Sequence, residues 1–402
     1  MNRNAGVILC GVVLTTLLSP LHALSRPATL TVTNPSNRTR AHEPVVVAWK
    51  AILALLPDAT PATLVLTGQD NTPVTFQVDD LDGNGSPDEL VFVTNAAAGE
   101  QRTFSLGISA ASPEPSPSLF TDAQNWKRVK GVLNNVDDDD LPGNGRERSA
   151  YRFDGVGWES QLVGYRLYLD GRNAVDIQGK RKPALYWKWI GESGVDYQLD
   201  AGWGMDVLHV GPALGVGGMA FWAGDSVVKP WGLDHQRCRI IARGPVRAVV
   251  RVEYTGWQVG QDKADVTSLF TIYDGDRVTE HTILPGRHAA SHTIVTGIVV
   301  HDSTDVLWRP AIASLCTVGH QSRANDTLMM AVTVPPANVI RRHDDTTNHL
   351  LLLKFVDNAP IRVLIASYWQ GETGTMWTQS ALEEFLATTG DRLRHPLTVR
   401  IR

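Results

Sequence analysis

Apolar and polar residues alternate with a period of two along most of this chain, and that limits it to a fold built from β-sheets. The pattern is cleanest over residues 245–254. Val246, Ala248, Val250, Val252 and Tyr254 face one way, while Arg247, Val249, Arg251 and Glu253 face the other. Residues 266–273 and 277–283 flank Asp274-Gly275, a strong hairpin signal. Residues 350–355 and 361–367 read as buried strands. Only residues 379–393 carry helical spacing, with Thr378 as cap and Leu382, Phe385 and Leu386 on one face.

These runs divide the chain. Short β-branched and aliphatic segments at 29–32, 44–47, 63–66 and 103–106, bounded by Asn, Gly and Pro, predict a small N-terminal β-sandwich over 24–110. Residues 49–57 read as a helical turn or a further strand. Residues 111–121 are rich in Pro and Ser and read as a linker. From 122 to 402 the strands predict one large sandwich of antiparallel sheets with few helices. At the start, Arg3 precedes an apolar run over 6–18 and a small residue at Ala23. This is the pattern of an export signal over 1–23, cut near Ala23. The run is short for a bilayer span, so the expected location is periplasmic or secreted, with no stable membrane insertion after cleavage. In such a compartment Cys238 and Cys316 either pair or remain buried thiols. A net charge of -5 with 20% charged residues gives no footprint for nucleic acid. The oligomeric state stays open.

Residues 157–180 break the pattern of strands built only for packing. Trp158, Glu159, Tyr165, Arg166, Tyr168, Asp170, Arg172, Asp176 and Lys180 crowd into this stretch. Rings beside charges of both signs suit an acidic sugar: rings stack on the pyranose, cations hold its carboxylate, and acids or phenols move protons. A hairpin around Asp170-Gly171-Arg172 with a three-residue loop pairs Arg166 with Asp176. That register gathers Leu167, Leu169, Val175 and Ile177 on the opposite face. The same register offers a plainer reading, in which Arg166 and Asp176 form a cross-strand ion pair.

Three further signals carry chemistry. Asp80, Asp82, Asn84, Ser86 and Asp88 fall at spacings that wrap a hard cation in a tight turn, with Gly85 at the sixth position. The flanks are strands, and Val91 stands where a helical calcium loop has its final Glu. The loop therefore predicts either a structural calcium site or an acidic hairpin without metal. The acidic run Asp137 to Asp140 is less specific and reads as a solvated loop. Among the histidines, Asp206 and His209 share one segment, and His235 follows Trp231 and Asp234. His235 is the favoured general base. No phosphate loop, dinucleotide fingerprint or nucleophile elbow is present, so no organic cofactor is expected.

The block GWESQLVGYRLYLDGRNAVDIQGK, the segments GMDVLHVGPALGVGG and ARGPVRAVVRVEYTGW, and the N-terminal DDLDGNGSPDELVF resemble DUF4861, a family of exported bacterial proteins. The resemblance implies a galactose-mutarotase-like supersandwich for the C-terminal part and a role in polysaccharide use. It also implies, for some members, dehydratase activity on uronate oligosaccharides. The expected function is thus a carbon–oxygen lyase that abstracts the proton next to a uronate carboxylate. The alternatives are a glycan-binding protein without catalysis, or a mutarotase or hydrolase on the same scaffold. In the lyase, Arg166, Arg172 and Lys180 are candidate carboxylate clamps. Tyr165, Tyr168, His235 and Glu159 are candidate proton carriers, with Trp158 and Asp206 as further substrate contacts.

Overall fold

A computed structural model describes residues 27–109, 119–142, 150–190, 196–372 and 378–402. The leader expected over 1–23 and most of the linker at 111–121 lie outside them. Among the described residues the chain is almost all strand, with two α-helices, Trp49–Leu53 and Gln379–Arg394.

The N-terminal runs form two sheets face to face. One holds Thr398–Ile401, Ala28–Thr33, Gln101–Ile108 and Leu64–Thr67 in that order. The other holds Arg40–Ala48, Glu89–Ala96 and Phe76–Asp79. Alternate residues point inward, so Leu30, Val32, Leu66 and Phe104 meet Val45, Val47, Leu90 and Phe92 in one core. Trp49 and Ile52 of the short helix close its end. The expected boundary needs correction here. The last strand of the chain pairs with the first, Leu30 opposite Ile401, so the sandwich is not confined to 24–110. A four-residue strand some 370 positions away leaves no local mark of its partner.

The large sandwich has a nine-stranded antiparallel sheet as one layer. Its order is Asp138–Pro142, His235–Ala242, Arg247–Val259, Asp262–Tyr273, Thr279–Pro285, Ile361–Trp369, Thr327–Thr333, Ser314–His320 and Thr304–Arg309. Two five-stranded sheets cover it. The first holds Gly204–Asp206, Val175–Lys180, Val163–Tyr168, Gly155–Ser160 and Thr121–Gln124. The second is built around Val216–Ala223, Thr293–Val299 and Asn348–Leu353. They meet at a parallel bridge between Val175 and Gly215. Gly215 is required there, since a Cβ would lie 1.9 Å from the Val175 carbonyl oxygen. All three sheets share a single apolar core.

The acidic run is not a solvated loop. Asp138–Pro142 is an edge strand paired with His235–Ala242, and every acid has a basic partner. Asp137 meets Arg243, Asp138 meets Arg237 at 2.5 Å, Asp139 meets Lys127 at 2.7 Å and Asp140 meets His235 at 2.6 Å. Like charges at successive positions are tolerated because a strand turns them to opposite faces. The long helix begins at Thr378, whose hydroxyl accepts from the Ala381 N–H at 3.1 Å, and its Leu382 and Leu386 lie on Met329 and Ala331. Cys238 and Cys316 are both buried, and no disulfide joins them. Among the described residues no helix is long and apolar enough to cross a membrane.

Buried charges fasten the two sandwiches. Arg247 reaches Asp79 at 2.7 Å and Glu89 at 2.9 Å, while Arg392 bridges Glu43 at 2.9 Å and Asp276 at 2.6 Å.

Candidate functional site

The block at 157–180 forms the centre of the first five-stranded sheet, and the expected register is present. Arg166 stands opposite Asp176, and the Tyr168 N–H donates to the Ala174 carbonyl at 2.9 Å. Register then sorts the side chains between two faces. Trp158, Tyr165, Leu167, Val175 and Ile177 turn toward the nine-stranded sheet. Glu159, Arg166, Tyr168, Asp176, Gln178, Lys180 and Asp206 turn the other way. Both faces are buried, contrary to a hairpin with one open side.

The core face removes two candidates. Trp158 stacks on Phe270 at 4.6 Å and donates to the Thr279 hydroxyl at 2.9 Å. Tyr165 has no exposed surface, and its hydroxyl donates to the Arg277 carbonyl at 2.8 Å. Burial pushes that phenol far above its ordinary value. Neither ring reaches a substrate.

On the polar face, one indole divides the charges. Trp187 lies across Gly157 and Gly164, where added Cβ atoms would stand 2.5 Å and 2.9 Å from its ring. On one side Glu159 meets Lys180 at 2.5 Å and accepts the backbone N–H groups of Tyr186 and Trp187 at 2.8 Å. Lys180 also donates to the carbonyls of Ser160 and Ala184. Both side chains are sealed. Burial raises the Glu159 carboxyl and lowers the Lys180 ammonium, each opposed by the partner charge. As proton carrier and carboxylate clamp they are corrected to a buried structural pair.

On the other side the polar face opens. A cleft of about 230 Å³ is lined by Asp154, Arg166, Tyr168, Arg172, Tyr197, Gln198, His209, Val210, Gly211 and Arg323. Arg166 is its floor. The guanidinium contacts Asp176, meets the Tyr168 hydroxyl at 2.5 Å and approaches Asp206 and the Tyr197 hydroxyl at 3.4 Å. Tyr168 in turn donates to Asp176 at 3.0 Å. Arg172 stacks 3.8 Å from the centre of the Tyr168 ring and holds Asp170 at 2.5 Å and Asp154 at 3.0 Å. Arg323 enters from a distant loop that the Val207 carbonyl anchors through its backbone N–H at 2.8 Å. Its Nε meets Asp206 and the Leu208 carbonyl, both at 3.3 Å. Among the described residues no partner meets its Nη1 or Nη2.

Asp206 lies behind Arg166 with no exposed surface. Burial and then the Asp176 carboxylate raise its carboxyl to about 8, against the pull of Arg166 and Arg323. Burial and then Asp176 likewise drive the Tyr168 phenol far up. Behind the exposed His209 sits His301, whose imidazole burial and then His209 hold below its usual value.

The structure thus gathers Arg166, Tyr168 and Arg172 at one cleft with Asp206 behind it. His235 is not among the cleft residues. It pairs with Asp140 at the sheet edge, where both are well exposed. Sequence reasoning missed Tyr197, Asp154 and Arg323, which come singly from loops. It passed over His209, although the spacing from Asp206 was visible. The glycines at 157 and 164, opposite polar neighbours in the register, were the available signal for the covering indole.

At the calcium-type loop, the carboxylates of Asp80, Asp82 and Asp88 come within 4.8 Å of one another. Asp80 accepts the N–H groups of Gly83 and Gly85, each at 2.7 Å, and chiefly the latter holds its carboxyl below the usual range. Asn84 donates to Asp82 at 2.9 Å and accepts the Ser86 N–H at 2.8 Å.

The model of a family described as a domain of unknown function, DUF4861, matches residues 32–399. The chain belongs to DUF4861. No curated protein matches it. Two solved structures from Enterococcus faecalis are similar to this DUF4861 chain. One is a protein in the glycosyl hydrolase family 38, and the other is an alpha-mannosidase from strain V583. Each is 8% identical with a TM-score of 0.48, over 94% of this chain and 47% and 46% of theirs. The chain spans about half the length of each, and a likeness at this level bears on neither site nor activity.

Proposed function

We propose that this DUF4861 protein is a carbon–oxygen lyase that acts on uronate-containing oligosaccharides in the Arg166–Arg323 cleft. The observation that carries the reading is Arg323. It is anchored through Nε, and among the described residues its two Nη groups meet no partner, which leaves them as paired donors in a cleft lined by two further arginines. A planar fork of this kind suits a carboxylate.

Elimination across C4–C5 of a uronate needs its weakly acidic C5 proton removed. Arg323, with Arg172 beside it, binds the carboxylate and stabilises the charge that grows there. His209, an exposed imidazole lining the cleft, takes the proton. The C5–H electron pair forms the C4=C5 bond, and the C4–O bond breaks. Tyr197, whose hydroxyl lies by the Arg166 guanidinium, protonates the departing oxygen. Tyr168 and Asp176 hold Arg166 in place. The carboxylates around the cleft are tied to arginines, which supports elimination over a hydrolysis that relies on two working carboxyl groups.

The test is ultraviolet absorbance and product mass with a panel of uronate oligomers. A new conjugated double bond is expected, abolished by His209→Ala and cut at least tenfold by Arg323→Ala, with unchanged melting temperatures. New reducing ends without unsaturation would instead make the protein a hydrolase, and binding without any product a glycan-binding protein. The reading also has the protein exported, which fractionation of cells checks. We further propose a structural Ca2+ at the 80–88 loop, held by Asp80, Asp82 and Asp88. Chelation should then lower the melting temperature, and calorimetry with Ca2+ should show one site.

A further inference from the structure

Against Gly171, next to the Arg172 that lines the cleft, lies a ring that the mechanism does not use. Trp231 is 58% exposed, yet its position is fixed. A Cβ at Gly171 would lie 1.9 Å from ring Cε3 and 2.2 Å from Cδ2, so the indole rests on bare backbone. Pro230 and Leu233 on either side of it are buried. The Trp231 N–H donates to the Lys229 carbonyl at 2.8 Å. The Lys229 ammonium donates to the carbonyls of Pro212 and, at 3.1 Å, Ala213. Residues 229–231 are therefore fastened to the turn that supplies Arg172 and to the loop that supplies Gly211. Both line the cleft. One part of the ring is held by Gly171, and more than half of its surface stays in water.

We propose that Trp231 is a stacking platform for a second sugar, so that the site takes a chain rather than a single uronate. The inference rests on the acidic-sugar reading of the cleft. At about 230 Å³ the cleft falls below the range of roughly 300–1,000 Å³ of drug-sized pockets. That size suits one sugar residue, so in this proposal the rest of a longer chain lies outside the cleft, on the Gly171 side. A pyranose offers an apolar C–H face to a flat ring, and a rigid indole binds it with little loss of side-chain freedom. The occupant is the pyranose next to the bound uronate in an oligosaccharide.

Calorimetric titration tests this with monomers and tetramers of galacturonate, mannuronate and glucuronate, and with neutral cello-, xylo- and mannotetraose. Trp231→Ala should weaken the bound tetramer about tenfold and leave the monomer unchanged. Trp231→Phe should restore most of the loss. Gly171→Ala, which keeps the indole but displaces it, should weaken the tetramer in the same direction. Equal tetramer affinity in Trp231→Ala overturns the platform, as does an equal loss for monomer and tetramer. If only a neutral tetramer binds and Trp231→Ala weakens it, the platform stands and the acidic-sugar reading falls. A wild type that binds no probe overturns both.

Discussion

Two buried ion pairs lie on the same face of the same sheet, and only one of them opens onto a cleft. Glu159–Lys180 and Arg166–Asp176 are similarly buried, the first reaching across the Val163–Tyr168 strand and the second joining neighbouring strands. The difference is Trp187, whose ring rests on two glycines and shuts one pair in while ending short of the other. Charge and burial alone therefore do not mark a site. What separates the pair at the cleft from the sealed pair is the covering ring.

Replacing Lys180 with Met should have the largest effect. It leaves the Glu159 carboxylate buried without its cation, and loss of one member of such a pair costs about 3–5 kcal/mol. Urea denaturation measures it, and the double variant Glu159→Leu with Lys180→Met should recover much of the loss. A silent single variant would show that the sealed half is not held by charge.

The open half should respond to pH instead. Asp206 keeps its proton in the folded chain up to about 8, but in the unfolded chain only to roughly 4. The folded state binds more protons between those values. Its contribution to stability is complete below the lower value and is lost as pH rises through the upper one. Asp206→Asn, neutral throughout, removes that dependence. Between pH 5 and 8 the wild type should lose melting temperature relative to the variant, and parallel profiles would sink the assignment.

The smallest effect is expected at His235. Its pair with Asp140 is solvent-exposed, and such pairs contribute little. His235→Ala should match wild type in both melting temperature and turnover. A large loss of turnover would move the chemistry to the sheet edge and undo the comparison.

The fold was legible where it depends on period and on turns. The alternation at 245–254, the Asp274-Gly275 turn and the Thr378 cap are local, and each specifies its own geometry. The hairpin register was legible too, because only one loop length keeps Leu167, Leu169, Val175 and Ile177 together. The site was legible in part. Arg166, Tyr168 and Arg172 come from that hairpin, so one segment names them. Arg323 and Tyr197 arrive from separate loops, and nothing near them in the chain records their destination. Trp158, Glu159, Tyr165 and Lys180 misled because residue type does not report what lies above a face. The covering ring belongs to a segment that adds no strand to the sheet.

The pairing of Ala28–Thr33 with Thr398–Ile401 also governs the order of assembly. Synthesis delivers the amino-terminal end first, and domains generally fold in that order. Here Ala28–Thr33 finds one neighbour in Gln101–Ile108 but gains its other only some 370 positions later. The large sandwich can set before its smaller neighbour is closed, and the amino-terminal sheet keeps an unpaired edge until Thr398–Ile401 has been made.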